Sequence, residues 1–149
     1  MQDDMSTLIA DIFEAAGALR MSGEDIASHE GVTLSQWHLL DAIHDPLTTV
    51  ARAARRMGLS RQATQKTANE LVAVGLLEFK PNPDHKTSPL IHLTPAGLAV
   101  QARLWARATE SHDARFGGMS EQDLKTTQDT LRKMAQLTYE MHGSEATGA

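Results

Sequence analysis

The sequence has no cysteine, which excludes disulfides, thiolate metal sites and thiol redox sensing. It has no apolar run near the length of a membrane span, and it opens on the acidic Met1-Gln2-Asp3-Asp4, unlike a signal peptide. A soluble, cytoplasmic protein is therefore expected. No Gly-rich phosphate loop follows a strand, and neither Gly-x-Ser-x-Gly nor His-Glu-x-x-His occurs, so no enzyme is expected. Among the seven histidines no two stand three or four apart, and no single helix offers a metal-binding pair. His38 with Asp41 and His112 is the one trio worth testing; no metal and no cofactor is expected. Internal repeats and low-complexity segments are also absent. At 149 residues the chain is expected to form a single domain over 1–149, large enough for a genuine core.

What is present is an uneven distribution of charge. The formal net charge is −5. Residues 1–47 hold nine acids and one base, net −8, and residues 96–149 hold seven acids and six bases, net −1. Residues 48–95 hold seven bases and three acids, net +4. Attraction to phosphates follows local charge rather than the total, so the middle of the chain is the candidate nucleic-acid surface.

Hydrophobic spacing lays out the elements. Ser6 to Leu19 places Leu8, Ile9, Ile12, Phe13, Ala16 and Leu19 on one side of a helix that runs on toward Ser28 past Gly17 and Gly23. Thr33 and Gln36 form a capping box, with Val32 and Trp37 as staple, for a helix through Leu40 and Ile43 to Asp45. Pro46 ends it. A short helix follows with Val50, Ala53, Ala54 and Met57 inward and Arg52, Arg55 and Arg56 outward; Gly58 closes it and Ser60 caps the next. Two short helices joined by a tight Gly-containing turn form a helix-turn-helix. After Gly75, Leu76 to Lys80 and Pro89 to Leu93 read as strands around the turn Pro81-Asn82-Pro83-Asp84, a wing. Thr94 and Pro95 then start a helix to about Phe116, with Leu98, Ala102, Trp105, Ala108 and His112 on a stripe. Gly117-Gly118 breaks it, and a last helix, capped by Ser120 and stapled by Met119 on Leu124, continues to about His142.

The second helix of the pair carries the chemistry. Thr64, Thr67, Ala68 and Leu71 recur at i, i+3, i+4 and i+7, a narrow inward stripe. Gln62, Gln65, Lys66 and Asn69 recur on the opposite side, with Arg61 at the leading end. Amides can bond adenine edges bidentately, Arg and Lys can bond guanine, and a helix fits the major groove. Arg61, Gln62, Gln65, Lys66 and Asn69 are expected at base edges and nearby phosphates. Thr49 and Ser60, at helix N-termini, suit phosphate contacts. Arg52, Arg55 and Arg56 fit a solvated face, with Arg55 the exception to test.

Leu34-Ser35-Gln36-Trp37, Gly58-Leu59-Ser60-Arg61-Gln62, Leu71 through Gly75-Leu76, Pro81-Asn82-Pro83 and Leu93-Thr94-Pro95-Ala96-Gly97 together resemble the multiple antibiotic resistance regulator (MarR) family of winged-helix transcription factors. The likeness covers roughly residues 30–100 by motif and the remainder by helix order. It implies a mainly α fold with a small β-hairpin wing. A winged helix-turn-helix lobe would span 33–94, a helical dimerisation region 5–30 and 95–142, and a flexible tail 143–149. It implies a homodimer on double-stranded DNA with a pseudo-palindromic operator, and a small, often aromatic effector that relieves repression. Ile12, Phe13, Ala16, Trp37, His38 and Asp41 could line the effector crevice. The family's wing tip carries Asp-x-Arg, whose Arg enters the minor groove; here those positions are His85-Lys86-Thr87, leaving Lys86 with His85 beside it. The alternative is a winged-helix protein-interaction module without specific DNA binding, suggested by the acidic total and the altered wing.

Overall fold

The computed structural model describes residues Asp3 to Glu145, with side chains through Met141, as two compact units, Met1–Glu110 and Ser111–Ala149. Element order is α1 (Asp4–Ser28), α2 (Leu34–Ala42), α3 (Val50–Met57), α4 (Arg61–Ala73), β1 (Leu77–Lys80), β2 (Leu90–Leu93), α5 (Pro95–Phe116) and α6 (Glu121–Glu145). The fold is mainly α with one antiparallel hairpin, in the register Leu77↔Leu93 to Lys80↔Leu90. A bridge between Thr49 and Leu90 adds a third stub to that sheet, and Ile91 N–H donates to Thr48 O at 2.9 Å.

Local chemistry accounts for most of the boundaries. Thr33 accepts from Gln36 N–H while Gln36 Oε1 accepts from Thr33 N–H, a closed capping box at the head of α2. Thr49 caps α3 and Ser60 caps α4 through bonds from Arg52 N–H and Ala63 N–H. Gly58, at φ 66°, takes the left-handed conformation that ends α3, and Leu59 N–H closes back on Ala54 O. Helix α2 ends at Ala42 rather than Asp45. Ile43 already has an extended ψ of 88°, and Asp45 folds back to accept from Leu47 N–H. Helix α1 starts earlier than Ser6, capped by Asp3, and passes unbroken through Gly17 and Gly23.

The core of the first unit gathers Leu39, Leu40, Ala53, Ala68, Leu71, Leu77, Ile91 and Leu104, all nearly sealed from solvent. Helix α1 contributes only Ile26 and Ala27 to it. The apolar stripe ahead of them is open in the single chain: Phe13 is 75% exposed, and Leu8, Ile9 and Leu19 are exposed too. Helix α5 turns Gly97, Val100, Leu104 and Ala108 inward, so of the expected stripe only Ala108 is buried, and Leu98, Ala102 and Trp105 lie outside. In the second unit, Ser120 caps α6 by accepting from Asp123 N–H, and Met134 alone among the described α6 side chains is half-buried. Residues 143–145 of the expected tail continue α6, and 146–149 lie outside the described residues.

Helix α5 is fastened to the winged lobe at three places. At its start, Thr94 Oγ1 donates to Gly75 O and accepts from Gly97 N–H, while Thr94 N–H donates to Leu76 O. A Cβ on Gly97 would collide with the Leu76 carbonyl oxygen, so the first turn of α5 approaches β1 as only glycine permits. One turn on, Gln101 Nε2 donates to Leu40 O and Asp41 Oδ1, and Trp105 Nε1 donates to the same Asp41 oxygen. Further along, Glu30 receives Arg103 at 2.6 Å and Arg107 at 2.8 Å.

Gly97→Ala should lose about 2–3 kcal/mol of stability in urea unfolding, because the obstructing atom is backbone and cannot rotate away. The Glu30 side chain is only 7% exposed, and its hydrogen bonds from Arg103 and then Arg107 hold its carboxyl below the usual carboxylate pKa. A carboxylate depressed on folding stabilises fully above its unfolded pKa and loses that contribution as pH falls through the folded value. The thermal midpoint of Glu30→Gln should thus lie below wild type at neutral pH, and the gap should close only below the ordinary carboxylate range.

Candidate nucleic-acid interface

Helix α4 owes its orientation to its narrow side. Thr64, Ala68 and Leu71 are sealed, Thr67 is half-buried, and Thr64 spends its hydroxyl on Ser60 O within the helix. The opposite edge is therefore forced outward. Arg61, Gln62, Lys66 and Asn69 are exposed, Gln65 is half-buried, and together with Glu70 they line one shallow concavity. Gln65 Nε2 donates to Asn69 Oδ1 at 3.0 Å, which leaves the Gln65 carbonyl as an acceptor and the Asn69 amide as a donor. No ion pair engages Arg61 or Lys66 among the described residues.

Sequence spacing did not single out Glu70, although it sits four residues after Lys66 on the same face. It makes no pair with Lys66; its Oε2 accepts instead from Gln36 Nε2 at 3.2 Å. Gln36 belongs to the α2 capping box, so one side chain closes the start of α2 and touches the outward edge of α4. That link spans 34 positions and leaves no local trace.

The α3 arginines divide sharply. Arg56 donates to Ala42 O at 2.8 Å, Thr48 Oγ1 at 3.4 Å and Asp45 Oδ2 at 2.8 Å. Arg52 lies 3.7 Å from Asp45 as well. The Arg56 hydrogen bond, helped by Leu47 N–H, lowers the Asp45 pKa. The Arg55 side chain has neither a hydrogen bond nor an ion pair among the described residues, and the residue is exposed. Ser60 is exposed at the α4 cap, and Thr49 is half-buried at the α3 cap. In the wing, Asn82 Nδ2 donates to Ser88 O at 2.8 Å and Asp84 N–H donates back to Asn82 Oδ1, so the turn is closed by its own asparagine. His85 and Lys86 are exposed at its tip, while Lys80 pairs with Glu78.

The residues considered for an effector do not form one cluster. His38 and Asp41 line an open groove with Ser35, Ala42, Arg56, Met57 and Leu59; Ile12, Phe13, Ala16 and Trp37 are not on it. Trp37 is buried with its indole N–H unbonded, and Asp41 is taken up by Gln101 and Trp105. Ile12 is half-buried, while Phe13 and Ala16 are exposed on α1. Among the described residues no three His, Asp or Glu side chains gather to hold a metal, and His112 faces Phe116 at 6.1 Å between ring centroids.

A model of the MarR family matches residues 30–86, the span from the turn before α2 to the wing tip. An uncharacterized protein of Mycobacterium tuberculosis is 44% identical over 134 residues, covering 90% of this chain and 94% of that protein. The chain belongs to the MarR family. Two solved structures extend the likeness to the fold. CouR from Rhodococcus jostii, bound to p-coumaroyl-CoA, superposes with a TM-score of 0.76 at 21% identity, covering 89% of this chain and 92% of that one. A mutant MarR from E. coli complexed with operator DNA gives 0.71 at 19% identity, covering 89% and 99%. The winged lobe of this MarR-family chain is thus the fold of transcription regulators.

The division of the arginines is testable. Arg56→Ala should cost about 1–3 kcal/mol in thermal or urea unfolding, because it strips a part-buried carbonyl and a carboxylate of their charged donor. Arg55→Ala should stay within about 0.5 kcal/mol of wild type.

Proposed function

We propose that this protein is a sequence-specific regulator of transcription that binds double-stranded DNA through α4 as a homodimer, acting as a repressor relieved by a small ligand. The observation that carries the DNA-binding part is the outward edge of α4: amides and two unpaired cations held on a sealed helix. Arg61, Gln62, Gln65, Lys66 and Asn69 would meet base edges and nearby phosphates. Ser60, Thr49 and Arg55 would meet the backbone, and Lys86 with His85 would reach the minor groove. The MarR relative solved with operator DNA supports DNA binding by this fold.

Dimerisation is supported by apolar faces that a single chain leaves open, Leu8, Ile9, Phe13 and Leu19 on α1 and Leu124, Leu131 and Leu137 on α6. Two copies related by a two-fold axis require a near-palindromic operator with half-sites about one helical turn apart. Binding of an aromatic effector is supported by CouR, solved bound to p-coumaroyl-CoA, a thioester that carries an aromatic acyl group. A helical fold with an open polar edge on α4 supports a binding function.

A gel-shift titration of promoter fragments at several salt concentrations tests the reading. Affinity should fall steeply with salt, since phosphate contacts release counterions. Lys66→Ala should weaken all sequences alike and lower the slope of log affinity against log salt by about 1, whereas Gln65→Ala should relax one base position. Absence of duplex binding at low ionic strength would instead favour a protein-interaction module.

A further inference from the structure

The outward edge of α4 carries one acid, and among the described residues no cation pairs with it. Glu70 is exposed and lines the same concavity as Arg61, Gln62, Gln65, Lys66 and Asn69. Lys66 is one turn away at the favourable spacing for a helical ion pair, yet no pair forms. The carboxylate is steered by a neutral donor instead, Gln36 Nε2 at 3.2 Å. Gln36 cannot swing away freely, because its Oε1 is held at 3.0 Å by Thr33 N–H. The result is an anion on a rail: Oε2 fixed by α2, Oε1 without a partner among the described residues.

We propose that Glu70 is a specificity-determining residue of the reading surface, its free carboxylate oxygen accepting from the exocyclic amine of a cytosine in the major groove. The inference rests on the DNA-binding function proposed above. An ionised carboxylate only accepts, and cytosine N4 is the amine that G·C pairs present there, whereas guanine offers acceptors alone. Glu70 opposite guanine would therefore bring like partial charges together without compensation. The same charge repels phosphates on every sequence. Glu70 thus lowers affinity in general and restores it where cytosine stands, which discriminates by penalising wrong sites. A strut between α2 and α4 would need no charge, and an amide in its place would serve equally.

That difference sets the experiment. Duplexes are selected from a random pool by the full-length protein as wild type, Glu70→Gln and Gln36→Ala, and thermal midpoints are measured alongside. The glutamine at position 70 keeps a carbonyl for Gln36, so the fold is retained. Wild type should enrich one cytosine position in each half-site by about tenfold over guanine, the factor of a single mismatched contact. Glu70→Gln should lose that preference, keep the others and bind random duplex more tightly. Gln36→Ala, which frees the carboxylate but keeps its charge, should blunt the cytosine preference without raising random binding. An unchanged cytosine preference in Glu70→Gln, or a loss spread over every position in step with the thermal midpoint, overturns the assignment. No enriched sequence for wild type overturns the DNA-binding reading itself, and the two failures are told apart by the wild-type arm alone.

Discussion

The winged lobe depends on how close α4 can lie to its neighbours. Its inward residues, Thr64, Ala68 and Leu71, are sealed, and the alanines Ala53 and Ala54 face the interior from α3. Helix axes separate according to the side chains between them, so small residues allow a short approach. Larger groups at 64 or 68 would lift α4, widen the Gly58–Ser60 turn and rotate the outer edge away from its present line. The hydroxyl of Thr64 would be a liability in so dry a place, but Ser60 O receives it. Packing and display are therefore one constraint: the residues that cannot leave the core decide which residues must leave it.

Charge on the page of the sequence overstates charge available to a partner. The basic middle segment holds three arginines on α3, but Asp45 draws Arg56 and Arg52 toward the α2–α3 loop. Arg56 is then better understood as the clasp of that loop, bonded to Ala42 O and Thr48 Oγ1. Lys80 is held by Glu78. Among the described residues, the cations of that segment left unpaired are Arg55, Arg61, Lys66 and Lys86, spread over α3, α4 and the wing. An acidic chain with four open cations in one lobe can still attract a polyanion locally, and its total charge works against loose attachment elsewhere.

Helix ends were legible in the sequence because their chemistry is local. The Thr33–Gln36 box, the Thr49 and Ser60 caps, the Gly58 stop and the Thr94-Pro95 start all act within four residues. The sides of helices were less so. Helix α5 carries apolar residues on two adjacent stripes, and periodicity cannot say which meets the core; it is the one bearing Gly97, Val100 and Leu104, set by the Leu76 carbonyl. The α1 stripe is visible in the sequence, but spacing alone does not say whether it packs in the core or against a second copy, and one chain leaves it open. On α4 the outward positions follow from the 3.6 period. Glu70 shares that period, but its partner, Gln36, is remote in sequence, so spacing does not reveal what holds it.

Those remote contacts also say how the long helix is fixed to the lobe. Thr94 and Gly97 lock the first turn of α5 onto the Gly75–Leu76 corner, where α4 has just ended. Gln101 and Trp105 hold Asp41 at the end of α2, and Arg103 and Arg107 hold Glu30 at the turn before α2 begins. Helix α5 therefore grips α2 from both ends and α4 from its C-terminus. Packed elements shift between discrete arrangements rather than stretch continuously. A displacement of α5 along its axis cannot be absorbed at one bond; it must carry the Leu76 carbonyl, and with it the end of α4, or else break the Asp41 and Glu30 contacts. The polar fastenings that build the lobe therefore tie the position of α5 to both ends of α2 and to the C-terminal end of α4.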